Sequence, residues 1–212
     1  MDGLMVDSEP LWLESETEIT ARYGYTWTHE DQVACLGGPL TRVGEYMHDK
    51  CDLSEPPEFF TQSLIDLQCL KMRQGTPLMP GAIELVRSLQ SKGVITGLVS
   101  ASPRNIVDAV LENCGSELFP FSISSDDVLH TKPHPDAYLL AAKRSGVDIT
   151  RSLIFEDSLT GVNAATASGA WLIAVPHLVV VEEGPRVRSI HSLEQVTYDT
   201  LLALAQDFQA AI

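Results

Sequence analysis

Apolar side chains in the first part of the chain recur at intervals of three and four residues, the spacing of an amphipathic helix. Leu11, Ile19 and Tyr23 follow this spacing. This series begins directly after Pro10, and proline is a residue type suited to the first turn of a helix. The pattern predicts four helices, at residues 10–23, 28–35, 40–49 and 57–74.

After Gly75 the pattern changes to short apolar runs that alternate with helical segments, which is typical of a parallel α/β sheet. We predict strands at residues 94–99, 121–124, 152–155 and 171–175. Helices are predicted from Pro103 onward and at residues 135–145 and 158–168, which makes the order βαβαβαβ. An edge strand at residues 188–190 and a terminal helix at residues 194–209 complete the prediction.

The two patterns together predict an α/β protein with a Rossmann-like parallel sheet core and a small inserted helical cap. The core would comprise residues 1–11 and 76–212, and the cap residues 12–75. In open parallel sheets, ligands bind beyond the carboxyl ends of the strands. Residues that follow the predicted strands are therefore the candidates for chemistry.

The composition narrows the range of partners. The 212 residues carry 29 acidic and 14 basic side chains, for a net charge of −15. This charge disfavours nucleic acid and anionic membrane surfaces as partners. No apolar stretch approaches the roughly 18–20 residues that span a bilayer, and the start of the chain lacks the pattern of a secretory signal. We expect a cytoplasmic protein that is a monomer or a weak homo-oligomer.

Four segments at predicted strand-to-helix junctions carry residues suited to phosphate and magnesium. Hydroxyl groups and backbone N–H groups can donate to phosphate oxygens, and a lysine can offset their charge. Adjacent carboxylates supply the oxygen ligands that Mg²⁺ prefers. The candidate phosphate-binding residues are Ser100, Ala101, Ser102, Lys132, Arg42 and Arg104, and the candidate metal ligands are Asp2, Glu156 and Asp157.

These segments resemble the haloacid dehalogenase-like hydrolases, in the helical-cap branch that includes β-phosphoglucomutase and 2-deoxyglucose-6-phosphatase. The resemblance covers nearly the whole chain, through MDGLMVDSEPLW, GLVSASP, TKPHPDAY and IFEDSLTGVNAATASGA. In that family an aspartate attacks phosphorus and forms an aspartyl-phosphate, and a second aspartate two residues later acts as general acid and base.

The resemblance implies a role for each matching residue. Asp2 corresponds to the general acid and base, while Ser100 and Lys132 would hold the transferring phosphoryl group. Glu156 and Asp157 would hold Mg²⁺ directly or through water. The cap would select the substrate, with the turn at residues 37–39 and Arg42 as candidate contacts.

The family's first motif is Asp-x-Asp-Gly. Here Met1 occupies the variable position x and is the first residue of the sequence, which therefore contains only the motif's second aspartate, Asp2, and Gly3. The attacking aspartate and the first central strand would both precede Met1. Three interpretations are open: the sequence starts at an internal methionine of a longer chain, the shorter chain binds phosphate without turnover, or another segment, such as residues 178–181, or a second chain fills the strand's place. We expect little phosphatase activity from the 212-residue form.

The predicted function is that of a magnesium-dependent phosphatase acting on a small phosphorylated metabolite such as a sugar phosphate. One alternative is a phosphosugar mutase, in which Arg104 would hold a second phosphate. Another is a catalytically impaired phosphate-binding or interaction protein, which would follow if Met1 is the true start. These alternatives share the same phosphate site and differ in what happens to the phosphoryl group.

Overall fold

The computed structural model of the chain describes residues 1–35, 39–175 and 180–210. Its first part is helical, in agreement with the apolar spacing. The four helices are α1 (Glu9–Ala21), α2 (His29–Cys35), α3 (Leu40–Lys50) and α4 (Pro57–Gln74). Each differs from its predicted range by at most two residues at either end, within the usual fraying of helix termini.

These helices enclose an apolar centre of their own. Val43 and Met47 on α3 are four residues apart, as are Phe60 and Leu64 on α4, so each pair lies on one helix face. All four side chains are buried in one cluster together with Trp27. The helical block is therefore held by its own core.

The remainder alternates helices and short strands. The helices are α5 (Ala82–Ser91), α6 (Arg104–Cys114), α7 (Asp136–Ser145), α8 (Leu159–Ser168) and α9 (Tyr198–Ala210). The strands are β1 (Leu98–Val99), β2 (Ser122–Ile123), β3 (Leu153–Glu156), β4 (Trp171–Ala174) and β5 (Val187–Ser189). The predicted edge strand corresponds to β5.

Three local features differ from the prediction. The terminal helix predicted from residue 194 begins at Tyr198, and Leu193–Gln195 form a separate 3₁₀ turn. Helix α5 was not predicted, although Ala82, Leu85 and Val86 have helical spacing and bury one face. The first predicted strand, at residues 94–99, is formed only at Leu98–Val99. Val94 and Ile95 are exposed, so the start of that apolar run is not part of the core.

The strands form two parallel groups. Strand β1 pairs with β2, and β4 lies between β3 and β5. Among the described residues no strand joins β1 to β3. Of the segment 178–181, suggested as a substitute, residues 178 and 179 lie outside the described residues.

The main apolar core lies around α6. Ile106, Val107 and Val110 are buried there, as their spacing predicted. Cys69 and Met72, from the end of α4, belong to the same cluster. Helix α4 therefore contributes to both cores, and the division at residue 75 stays a prediction. Of the helices described, none is long and apolar enough to cross a membrane.

Candidate active site

The Asp2 carboxylate is held by one hydroxyl group on each oxygen. Ser8 Oγ, at the entrance to α1, donates to Asp2 Oδ1 at 2.7 Å. Ser102 Oγ, in the segment after β1, donates to Asp2 Oδ2 at 3.2 Å. Ser8 is fully buried. Two donors from different segments set the orientation of the carboxylate, which a general acid and base requires.

Ser100 comes directly after β1 and is buried. Its N–H donates to the carbonyl oxygen of Ile123 at 2.9 Å, which continues the β1–β2 pairing. Its Oγ accepts a hydrogen bond from the N–H of Ser102 at 3.1 Å. The chain therefore curls around the Ser100 hydroxyl and exposes Ala101 just before α6 begins. A helix N-terminus favours bound anions.

Lys132 joins the ends of β1 and β3. Its Nζ lies 2.5 Å from Glu156 Oε1, and it donates to the carbonyl oxygen of Val99 at 3.3 Å. The lysine and glutamate side chains are only 6% and 5% exposed. Tyr138 Oη also donates to Glu156 Oε1. This buried pair lies between the two strand groups and ties them together.

Glu156 and Asp157 are neighbours with opposite pKa shifts. Burial opposes ionisation of Glu156, but the charges of Lys132 and of the Met1 amino terminus, together with the hydrogen bonds from Lys132 and Tyr138, hold the pKa of Glu156 below its ordinary value. Burial and the charges of Glu156 and Asp2 raise the pKa of Asp157 to about 6, although the positive charge of the Met1 amino terminus lowers it. Asp157 is thus a carboxylate whose charge the protein compensates poorly.

Gly3 makes room for Asp157. A Cβ at position 3 would lie 2.1 Å from Asp157 Oδ2, far inside contact distance, and the φ angle of Gly3 is +66°. Only glycine adopts this conformation without strain and permits so close an approach. The Asp2-Gly3 turn and the end of β3 are therefore packed directly against each other.

The donor set fits a divalent cation. The carboxylates of Asp2 and Asp157 lie near each other. Glu9 is close enough to feel both charges: burial raises its pKa most, and the charges of Asp2 and Asp157 also raise it. Lys132 is already paired with Glu156. Oxygen ligands with excess negative charge are what Mg²⁺ binds, and the crowded carboxylates Asp2 and Asp157 have this chemistry. Glu156 Oε1 is engaged by Lys132 and Tyr138, and the assignment of Asp2, Glu156 and Asp157 as metal ligands stays a prediction.

Two predicted arginines lie outside this group. Arg104 Nη1 donates to Ser122 Oγ at 2.7 Å, and its Nη2 pairs with Asp127. Arg42 is an exposed residue of α3. Of the predicted specificity turn, residues 37 and 38 lie outside the described residues. The functional roles of both arginines stay predictions.

Sequence reasoning missed three residues of the site: Ser8, Glu9 and Tyr138. Ser8 and Glu9 were assigned to the start of a helix, where such residues are common. Tyr138 lies six positions after Lys132 in the TKPHPDAY segment, and this spacing brings both side chains onto Glu156. The quoted motif contained this residue, but its contact depends on the fold.

The site and the fold define a class of protein. Strand ends of a parallel α/β core bring together a hydroxyl-bearing segment, a buried lysine and crowded carboxylates, as hydrolases of phosphate monoesters require. The chain belongs to the haloacid dehalogenase-like hydrolase family, which matches over residues 1–175.

Curated relatives bear the names of phosphatases. Hexitol phosphatase B of Escherichia coli is 30% identical over 83% of this chain and 81% of its own length. Fructose-1-phosphate phosphatase YqaB of E. coli is 28% identical over 80% of this chain and 89% of its own. The chain is accordingly an enzyme of the phosphatase or mutase type within the family.

Solved structures share the fold. A family IA hydrolase from Entamoeba histolytica superposes with a TM-score of 0.84, at 22% identity, over 97% of this chain and 96% of its own. A putative β-phosphoglucomutase from Thermotoga maritima gives 0.75, with the same identity and coverage. These matches show that the chain shares the fold of these structures.

Proposed function

We propose that the protein is a magnesium-dependent phosphatase of a small phosphorylated metabolite such as a sugar phosphate. The observation that carries the proposal is the arrangement of Asp2, held by two hydroxyl groups, beside the buried Lys132–Glu156 pair. The curated relatives named for hexitol and fructose 1-phosphate support the substrate class.

Binding of the phosphoryl group falls to Ser100 and Lys132. The ammonium of Lys132 has three N–H donors. Two point to the carbonyl oxygen of Val99 and to Glu156, and the third can reach a phosphate oxygen. The net charge of −15 repels an anionic substrate, so this attraction has to be local. The segment from Ser100 to Ser102, just before α6, adds N–H donors.

Proton transfer falls to Asp2. An attacking carboxylate, contributed by a residue that precedes Met1, displaces the substrate alkoxide from phosphorus and forms an aspartyl-phosphate. Asp2 gives its proton to the departing alkoxide, and then takes a proton from the water that hydrolyses the aspartyl-phosphate. Phosphate leaves, and both carboxyl groups return to their starting states.

The metal site completes the proposal. Glu156 and Asp157 would hold Mg²⁺, which when bound neutralises charge on the transferring phosphoryl group. Asp2, also a predicted ligand, is not given that role here, because a carboxyl group bound to the ion would be ionised and could not act as the acid. Ser8 and Ser102 keep the Asp2 carboxylate oriented throughout. Tyr138 and Lys132 do the same for Glu156.

The test compares chains of two lengths. Release of inorganic phosphate from a panel of hexose, hexitol, pentose and glycerol phosphates is measured for the 212-residue chain and for a chain extended with its native upstream residues. We expect turnover with Mg²⁺ only in the extended chain. Within it, Asp2→Asn should reduce kcat by about 10²–10⁴-fold while Mg²⁺ still binds. Equal turnover by the two lengths would refute the upstream nucleophile.

The mutase alternative depended on Arg104 as a second phosphate ligand. Its guanidinium contacts Asp108, Ser122 and Asp127, so its donors already have partners within the core. No observation at this position favours the mutase over the phosphatase. Conversion of a hexose phosphate to its isomer, without release of phosphate, would decide for the mutase. The cytoplasmic location and the monomeric or weakly oligomeric state stay predictions from the sequence.

A further inference from the structure

A second group of metal-ligating side chains lies on the loop that carries Lys132. His130 Nδ1 lies 3.0 Å from Asp136 Oδ2, and His134 Nδ1 lies 2.9 Å from Asp136 Oδ1. Each carboxylate oxygen therefore faces one imidazole nitrogen. The residues come from three places along a seven-residue segment that ends in the first turn of α7.

The three side chains form a compact and accessible set. One ligand atom from each lies within 4.8 Å of the others. The two imidazole rings are 4.7 Å apart between centroids. The histidine side chains are 57% and 51% exposed, so an ion can reach them from solvent.

The chemistry of this set differs from that of the carboxylate site. Two imidazoles and one carboxylate suit a borderline divalent ion such as Zn²⁺, whereas Mg²⁺ prefers oxygen ligands alone. The hydrogen bond from His130 holds the pKa of Asp136 below its ordinary value, so this ligand is already ionised at neutral pH. A bound ion would replace the protons that the imidazole nitrogens now share with Asp136.

We propose that His130, His134 and Asp136 form a binding site for Zn²⁺, separate from the magnesium site. Between them in the chain, Lys132 points inward to Glu156 and is nearly buried, while the histidines point outward. An ion at the outer site would link residues on both sides of Lys132. Three protein ligands also leave a position open for water or another small ligand.

The test is a calorimetric titration of ZnCl₂ into the untagged chain, with excess Mg²⁺ present to occupy the carboxylate site. We expect one equivalent of Zn²⁺ to bind in the micromolar range or tighter. His130→Gln combined with His134→Gln should weaken binding by about tenfold or more, as should Asp136→Asn. His29→Gln, which changes an exposed histidine on α2, is the matched control and should bind as the parent does.

A spectrum of the parent chain with Co²⁺ in place of Zn²⁺ gives a second readout that needs no variant. Nitrogen and oxygen ligands give weak visible bands, whereas cysteine ligands add an intense thiolate charge-transfer band. Failure of Zn²⁺ to bind the parent, unchanged affinity in the folded double variant, or a thiolate band would overturn the proposal.

Discussion

Two buried carboxylates of this protein are paired with lysine, one in the helical block and one at the strand ends. Asp31 on α2 lies 3.1 Å from Lys50 Nζ, and Glu156 at the end of β3 lies 2.5 Å from Lys132 Nζ. The exposed fractions of the two carboxylate side chains are 2% and 5%. The surroundings of the two carboxylates nevertheless differ in how much negative charge they leave without a compensating partner.

Asp31 is compensated fully. The N–H and hydroxyl of Thr28 donate to it at 2.8 and 2.7 Å, and Tyr46 Oη donates at 2.8 Å. Tyr25 Oη also donates to both carboxylate oxygens. Burial opposes ionisation, but these hydrogen bonds hold the pKa of Asp31 well below its ordinary value. Such a centre stabilises the fold and has little capacity for a ligand.

Glu156 has a lysine and a tyrosine, but it also has Asp157 beside it. Lys132 is paired with Glu156, so the positive charge that acts on Asp157 is that of the Met1 amino terminus, while the charges of Glu156 and Asp2 oppose its ionisation. The excess negative charge costs stability unless a cation binds. The difference between the two pairs therefore separates a structural ion pair from a ligand site.

The largest expected effect follows removal of the lysine at the strand ends. Lys132→Met should lower kcat/KM of the upstream-extended chain by about 10²–10³-fold, because a charge aimed at the transferring phosphoryl group is lost. The measurement is phosphate release on the best substrate of the panel, with circular dichroism to verify folding. Lys143→Met, at an exposed lysine of α7, is the control. Retention of more than about a tenth of the activity would contradict the role given to Lys132.

A smaller effect is expected at the helical pair. Asp31→Ala should reduce the free energy of unfolding by about 1–3 kcal/mol, since the donors of Thr28, Tyr25 and Tyr46 lose their acceptor. Chemical denaturation measures this change, and Asp49→Ala, at an exposed position on α3, should change it little. In the upstream-extended chain, the same substitution should leave kcat close to that of the unsubstituted extended chain. A stability loss no larger than that of the control would remove the distinction between the two pairs.

The smallest expected effect concerns pH. The pKa of Asp157 is about 6 in the fold, against an ordinary value of 3.8. In the pH range between these two pKa values, the native state therefore retains a proton on Asp157 that the unfolded state has lost. The contribution of Asp157 to stability is therefore most favourable below the lower value and declines as pH rises through about 6. The affinity for Mg²⁺ has the opposite pH dependence and increases as pH rises, because the carboxylate ligand must be deprotonated.

Calorimetric titration of Mg²⁺ should accordingly show affinity falling by about tenfold per pH unit below pH 6. Asp157→Asn should bind Mg²⁺ more weakly throughout and lose most of this pH dependence. An affinity that does not change with pH in the parent chain would show that Asp157 is not a ligand.

The helices of the first part were predictable because their apolar spacing is regular and their ends have recognisable residues. Helix α5 was missed although Ala82, Leu85 and Val86 carry the same spacing. The strand predicted at residues 94–99 is formed only at Leu98–Val99. Whether Val94 and Ile95 are buried depends on what covers them, which local sequence does not contain.

Residue types at the strand ends indicated the site. In the structure, hydrogen bonds join Ser102 to Asp2 and Lys132 to Glu156, and the charge of Asp2 acts on Asp157 beside Glu156. The partners that orient them, Ser8 and Tyr138, required the fold. Arg104 illustrates the converse: its charge and position suggested a ligand, but Asp127 and Ser122 engage it.

Local spacing and side-chain chemistry were enough to predict the order of helices and strands apart from α5, and the kinds of residue at the strand ends. The pairing of Lys132 with Glu156, the weak compensation of Asp157 and the convergence of His130 and His134 on Asp136 came only with the folded chain. The physical reason is that burial and charge compensation depend on which groups meet in space, and a carboxylate's neighbours come from distant segments of the chain.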